Sequence, residues 1–211
     1  MHTSRLKLIL ELTLLFVFLP VMTLFPMHRG IKAALLLIGV GYIIVLCLKE
    51  EMCSKTLLMQ WKTQPYWRPV AYRFLALAIS TTFFTWWVDP NSLFVPPAKN
   101  PLLWVGVVLL YSVFSVIPQE FLYRTFFFNR FRPILKDDRL LVLTNAAVFS
   151  MAHLFYRNVL VLVLTFAGGI LFAITYDRTK SLTFTCLEHA IYGSWLFTVG
   201  MGEMLGFPMP E

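Results

Sequence analysis

Pro118-Gln119-Glu120-Phe121-Leu122-Tyr123-Arg124 places a carboxylate and a guanidinium inside a run that is otherwise largely apolar from Pro101 to Phe131. About 20 helical residues cross the hydrocarbon of a bilayer, so this run is long enough to span it. Ionisable groups at that depth are costly and point to a function or a partner. Glu120 and Arg124 are four residues apart, share one helix face and can pair. Further along the chain, two stretches answer them: Phe149-Ser150-Met151-Ala152-His153, and Glu188-His189-Ala190-Ile191-Tyr192-Gly193.

The rest of the chain has the same character. Of its 211 residues 58% are hydrophobic and 14% charged, and the mean hydropathy is +0.72. A soluble domain carries about 25% charged residues. The composition excludes a soluble enzyme and implies one transmembrane domain over residues 1–211. The net charge of +7 does not imply nucleic acid, because the basic residues sit in short segments between apolar runs. The cysteines, Cys47, Cys53 and Cys186, are odd in number and form no C-x-x-C pair. Neither a disulfide nor a thiolate metal site is expected.

Apolar runs end near residue 25 and then cover residues 31–48, 70–88, 102–131, 140–156, 159–176 and 182–199. They predict an all-α polytopic membrane helix bundle of about seven (six to eight) transmembrane helices, with the N-terminus in. That orientation puts most Lys and Arg on the cytoplasmic side. Arg73 and the stretch from Arg130 to Arg139 count there as loop cations. Trp61 and Trp67 read as interfacial anchors. The 102–131 run exceeds one perpendicular crossing, so it tilts or extends past the membrane at Phe126-Phe127-Phe128. Pro118 is expected to kink it just before Glu120. Gly168-Gly169 allows a close helix approach.

At a rise of 1.5 Å per residue, Glu120, His153 and His189 lie roughly 18, 20 and 12 Å above the cytoplasmic ends of their helices. They therefore share a depth inside the membrane. A carboxylate held by a histidine can take a proton from water and deliver the water as a nucleophile. A second histidine can donate to the oxyanion of an attacked carbonyl. The same Glu120, His153 and His189 could instead ligate Zn2+ with an open position. Spacing alone does not separate these chemistries. Glu188, about 100° round the helix from His189, orients a neighbouring histidine or lies near the interface. Asn145 shares a face with His153 and offers a polar neighbour.

These residues resemble those of the CPBP intramembrane proteases, the CAAX-prenyl-protease and bacteriocin-processing family also called Abi. Its pattern is Glu-Glu-x-x-x-Arg, then Phe-x-x-x-His, then His-x-x-x-Asn, each on a separate membrane helix. The corresponding stretches are Gln119-Glu120-x-x-x-Arg124, Phe149-x-x-x-His153 and His189-x-x-x-Gly193, within a family-like core over residues 102–199. The resemblance implies hydrolysis of a peptide bond in a membrane-anchored substrate. Glu120 and His153 would activate water and His189 would support the oxyanion, with Arg124, Gln119, Phe149, Glu188 and Tyr192 supporting them. It favours a glutamic mechanism with no cofactor over a Zn2+ one.

Two departures stand out. Gln119 replaces the first glutamate, the general base of the prenyl-protease branch, and an amide cannot take that proton. Gly193 replaces the asparagine, so an oxyanion donor is missing, for which Tyr192 or Ser194 could substitute. Removal of a C-terminal sorting segment from exported proteins then suits the chain better than CAAX processing. The expected setting is a bacterial inner membrane, with a lipid bilayer and a membrane-anchored substrate as partners. An inactive relative that binds a membrane partner, or a small proton or solute transporter, are the competing readings.

Overall fold

The computed structural model describes residues 4–49 and 66–205. Trp61 and Cys53 lie outside the described residues. Those described form helices and connecting turns, without strands. The long helices are α1 (residues 5–22), α2 (Arg29–Lys49), α3 (Trp67–Val88), α4 (Pro101–Phe131), α5 (Asp138–Met151), α6 (Val159–Thr179) and α7 (Leu182–Thr198), and a short helix, Val95–Lys99, precedes α4. The long helices correspond one to one with the apolar runs. The chain is an all-α bundle, and α2, α4, α5 extended to Tyr156, and α6 are long and apolar enough to cross a membrane. α7 has 17 residues and carries Glu188 and His189.

Side-chain caps fix where the later helices start. Asn100, Asp137, Asn158 and Ser181 each accept a backbone N–H from the first turn of α4, α5, α6 and α7. Each satisfies a donor that the helix itself leaves open. Lys180, at φ 51°, ends α6 in the left-handed region. α6 and α7 are thus separated by a single tight turn.

α4 is continuous for 31 residues. Within it, α turns alternate with π turns at Tyr111–Val116 and Phe121–Phe126. Pro118 follows the first of these, as Pro20 follows the π turn Leu14–Phe18 of α1. Proline lacks an N–H and crowds the preceding turn, and a widened turn accommodates both effects. Glu120 thus sits on a short α turn between two wide ones.

The Phe126-Phe127-Phe128 end of α4 does not project as a bare extension. All three rings are buried, and Phe16 of α1 packs on Tyr123, Phe126, Phe127 and Phe131 with ring centroids 5.4–6.3 Å apart. Arg130 is not a loop cation. It is 4% exposed and grips Glu11 of α1 with two hydrogen bonds, Nε to Oε2 at 2.8 Å and Nη2 to Oε1 at 3.0 Å. Arg73 likewise belongs to α3 rather than to a loop.

α5 and α6 approach closely at Gly169, where an added Cβ would lie 3.0 Å from Ala146 Cα. Gly168 faces only the Phe172 ring of its own helix, so Gly169 is the contact position. A Gly169→Val variant is expected to lose about 1–3 kcal/mol of stability through overpacking. A fall in melting temperature in detergent would register it, and an unchanged melt would show that the pair can separate at no cost.

Candidate active site

Glu120 and Arg124 are both fully buried. Arg124 Nε lies 3.0 Å from Glu120 Oε2, a charge contact without the alignment of a hydrogen bond. Arg124 Nη1 donates to Asn145 Oδ1. Asn145 in turn donates from Nδ2 to the Tyr123 carbonyl at 2.6 Å. The guanidinium also lies over Phe149 and Phe172, 5.0 and 5.9 Å from their centroids. Aromatic faces attract a cation, so Arg124 is held from α4, α5 and α6 together. Its role here is to fix the Glu120 carboxylate.

The other carboxylate oxygen faces α7. His189 Nδ1 donates to Glu120 Oε1 at 2.8 Å. A carboxylate can only accept, so the proton is on Nδ1, and Nε2 is the nitrogen with a lone pair to offer. Phe172 stacks on His189 at 4.5 Å and 22° and fixes the ring plane. His153 sits just past the end of α5, before the turn Leu154–Tyr156. Its Nδ1 donates to the Phe149 carbonyl at 2.8 Å. A carbonyl also only accepts, so neutral His153 likewise offers Nε2. The Phe149 ring lies edge-on to both histidines, at 5.0 and 5.7 Å.

Both histidines line a cavity of about 380 Å³. Tyr111, Ser115, Gln119 and Tyr123 of α4 contribute a polar stripe to its wall. Tyr192 and Gly193 come from α7, and the remaining wall is mostly apolar, including Leu122, Phe149, Phe172 and Leu196. Glu120 does not line this cavity; it lies behind His189. Gln119, one residue earlier, does line it and donates Nε2 to Ser115 Oγ at 2.7 Å. Its buried Oε1 has no hydrogen-bond donor among the described residues.

The two remaining supporting residues of α7 meet α3. Glu188 is fully buried and, among the described residues, pairs with no histidine. Its ion-pair partner is Arg73 Nη1, at 3.5 Å, which also donates to Thr175 Oγ1 at 3.0 Å. Tyr192 donates its hydroxyl to the Val70 carbonyl at 2.8 Å. A hydroxyl has one proton, so this donor is not available to a substrate. Among the described residues no three His, Cys, Asp or Glu side chains are placed to hold a metal ion. Glu120 is engaged by Arg124 and His189 and does not line the cavity, so the residues as placed do not form the Glu120, His153 and His189 set of the Zn2+ alternative.

Sequence reasoning missed Tyr111 and Arg73. Tyr111, Ser115 and Gln119 recur every fourth residue, a polar stripe on an apolar helix that the sequence does display. Arg73 lies inside the expected run 70–88 but was counted with the loop cations, because hydropathy does not show that its partner is Glu188 of α7.

Compared with known proteins, residues 101–195 match the family model described as type II CAAX prenyl endopeptidase Rce1-like. No curated protein matches the chain, nor does any solved structure. At the family level the match supports a CAAX-type intramembrane endopeptidase, and the long apolar helices fit an integral membrane protein. The matched segment contains the Glu120–Arg124 pair and both cavity histidines, and over that segment the chain is similar to the Rce1-like type II CAAX prenyl endopeptidases.

Proposed function

We propose that this protein hydrolyses a peptide bond of a membrane-anchored polypeptide with water activated by His189 and His153. The observation that carries the reading is the 2.8 Å bond to the buried Glu120 from His189, which lines the cavity together with His153. His189 Nε2 takes a proton from water as the water oxygen attacks the scissile carbonyl carbon. Glu120 stabilises the imidazolium that forms, as a carboxylate beside a charged histidine does. His153 Nε2 accepts a hydrogen bond from the other water hydrogen, which stays on the oxygen, and so positions it. The imidazolium then returns its proton to the departing nitrogen, the C–N bond breaks, and a carboxylic acid and an amine are released. Glu120 thus works through His189 rather than on water directly. No step involves a metal.

The substrate class follows from the setting. The cavity is largely apolar, with a few polar groups on one side, as peptide sites within a membrane require. We assign the protein to the bacterial inner membrane with its N-terminus in, and to removal of a C-terminal sorting segment of exported proteins.

The test uses the full chain in proteoliposomes with two probes: a farnesylated CAAX peptide and an unprenylated peptide bearing a transmembrane anchor followed by a C-terminal tail. Mass spectrometry of the products is expected to show cleavage, with the anchored peptide preferred and the rate unchanged by 1,10-phenanthroline. Loss of cleavage on chelation, restored by Zn2+, would overturn the metal-free mechanism. Gln119 on the cavity wall supports a second reading, that of an inactive scaffold. It is distinguished by an unaltered protein that cleaves neither probe and a Gln119→Glu variant that cleaves one.

A further inference from the structure

The protease reading leaves one chemical requirement unmet. The carbonyl oxygen gains negative charge as water adds, and a buried oxyanion needs a donor aimed at it. Tyr192 is committed to the Val70 carbonyl, and Ser194 is not on the cavity wall. We propose that the Tyr111 hydroxyl is that donor, in the space Gly193 leaves beside His189. The inference rests on the protease reading above.

Gly193 and Tyr111 define one shared space. A Cβ added at Gly193 would overlap the Tyr111 hydroxyl, and would also meet Cζ at 2.5 Å and Cε1 at 2.6 Å. Any side chain at position 193 therefore displaces the phenol from where it now sits. Gly193 lies one helical turn beyond His189, at the position where the motif resemblance has asparagine. The polar group that asparagine would bring from α7 is replaced, in the same place, by one from α4. The Tyr111 ring meets the His189 ring edge-on, with centroids 6.0 Å apart and planes at 81°. Phe197 supports the ring from the other element at 5.1 Å. Tyr111 thus reaches the cavity beside the His189 ring. The described residues give its hydroxyl no acceptor, so its proton is free for a substrate oxygen.

The step needs no additional reactant. Water adds to the carbonyl carbon, the C–O π electrons move onto oxygen, and the phenol donates a hydrogen bond without giving up its proton. Collapse of the intermediate restores the C=O and expels the amine.

Tyr111→Phe keeps the ring contacts with His189 and Phe197 and removes only the hydroxyl. In the proteoliposome assay it is expected to lower kcat by about 10²–10³-fold with KM nearly unchanged, the usual effect of removing one oxyanion donor. Its melting temperature should match that of the unaltered protein. The paired variant Tyr111→Ala/Gly193→Asn returns a donor from α7 into the vacated space and should cleave at least tenfold faster than Tyr111→Ala alone. A Tyr111→Phe rate equal to the unaltered rate, while His189→Ala is inactive, would overturn this inference and leave the protease reading standing. A change confined to KM, or a paired variant no faster than Tyr111→Ala, would also overturn it. If the unaltered protein cleaves neither probe, the protease reading fails and this inference fails with it.

Discussion

A His189→Ala variant is expected to lose cleavage by about 10²–10⁴-fold, the range that a general base contributes, while still accumulating in the membrane. The loss has two sources. The variant removes the nitrogen that takes the proton from water, and it leaves Glu120 Oε1 without its donor. The second effect bears on the fold as well as on the rate. Glu120 keeps Arg124 at 3.0 Å, so the carboxylate is not stranded and the helices stay docked. His153→Ala should act on the same step but leave the Glu120 pair untouched. It removes a group that touches water without touching the buried charges, so its melting temperature should stay near that of the unaltered protein. Product formation by mass spectrometry, read beside a melting curve for each variant, separates lost chemistry from lost fold. Near-normal cleavage by either variant would contradict the assigned roles.

The second large effect concerns stability at the far end of α4. Arg130 and Glu11 are 119 residues apart in sequence and are joined by two hydrogen bonds in the interior of the bundle. Tyr42 of α2 adds a third bond to Glu11, at 2.7 Å. Two charges removed from water are tolerated together, whereas Arg130→Met leaves buried Glu11 with only the Tyr42 hydroxyl and the more distant Lys7 ammonium, at 3.9 Å, to offset its charge. Arg130→Met is therefore expected to destabilise the protein by about 3–5 kcal/mol. The double variant Glu11→Leu/Arg130→Met should regain most of that loss, because apolar residues of similar volume often replace a buried ion pair at little cost. Thermal denaturation in detergent reads both. A double variant that melts as low as the single one would show that the pair does more than neutralise itself.

How far the sequence revealed this molecule depends on what each residue's signal contained. Apolar length located the seven long helices, because twenty or so consecutive apolar residues have few other uses. It did not locate their ends. Arg73 and Arg130 lie near the ends of apolar runs, and hydropathy cannot tell a solvated cation from a buried one whose partner lies on another helix. The capping residues Asn100, Asp137, Asn158 and Ser181 were the better markers of the boundaries.

Depth along a helix placed Glu120, His153 and His189 at similar levels, and the contact between Glu120 and His189 agrees with that. Depth does not give direction around the axis. Gln119 and Glu120 differ by one residue, yet one lines the cavity and the other is fully buried behind His189. The two π turns in α4 shift that rotation further, and no count based on 3.6 residues per turn anticipates them. Tyr111 was indistinguishable from a packing aromatic until Gly193 was seen against it. Glu188 turned to Arg73 because α3 packs beside α7, a neighbour relation that a single sequence does not encode.

The central claim is that Glu120 acts through His189. The most direct measurement is a double-mutant cycle on kcat, comparing Glu120→Gln, His189→Ala and the variant carrying both with the unaltered protein in proteoliposomes. Residues that act as one unit are strongly non-additive. The predicted result is that the double variant is no slower than His189→Ala, because Glu120 has no further role once its histidine is gone. A double variant slowed by the product of the two single losses would show that Glu120 acts on water independently, and would contradict the account.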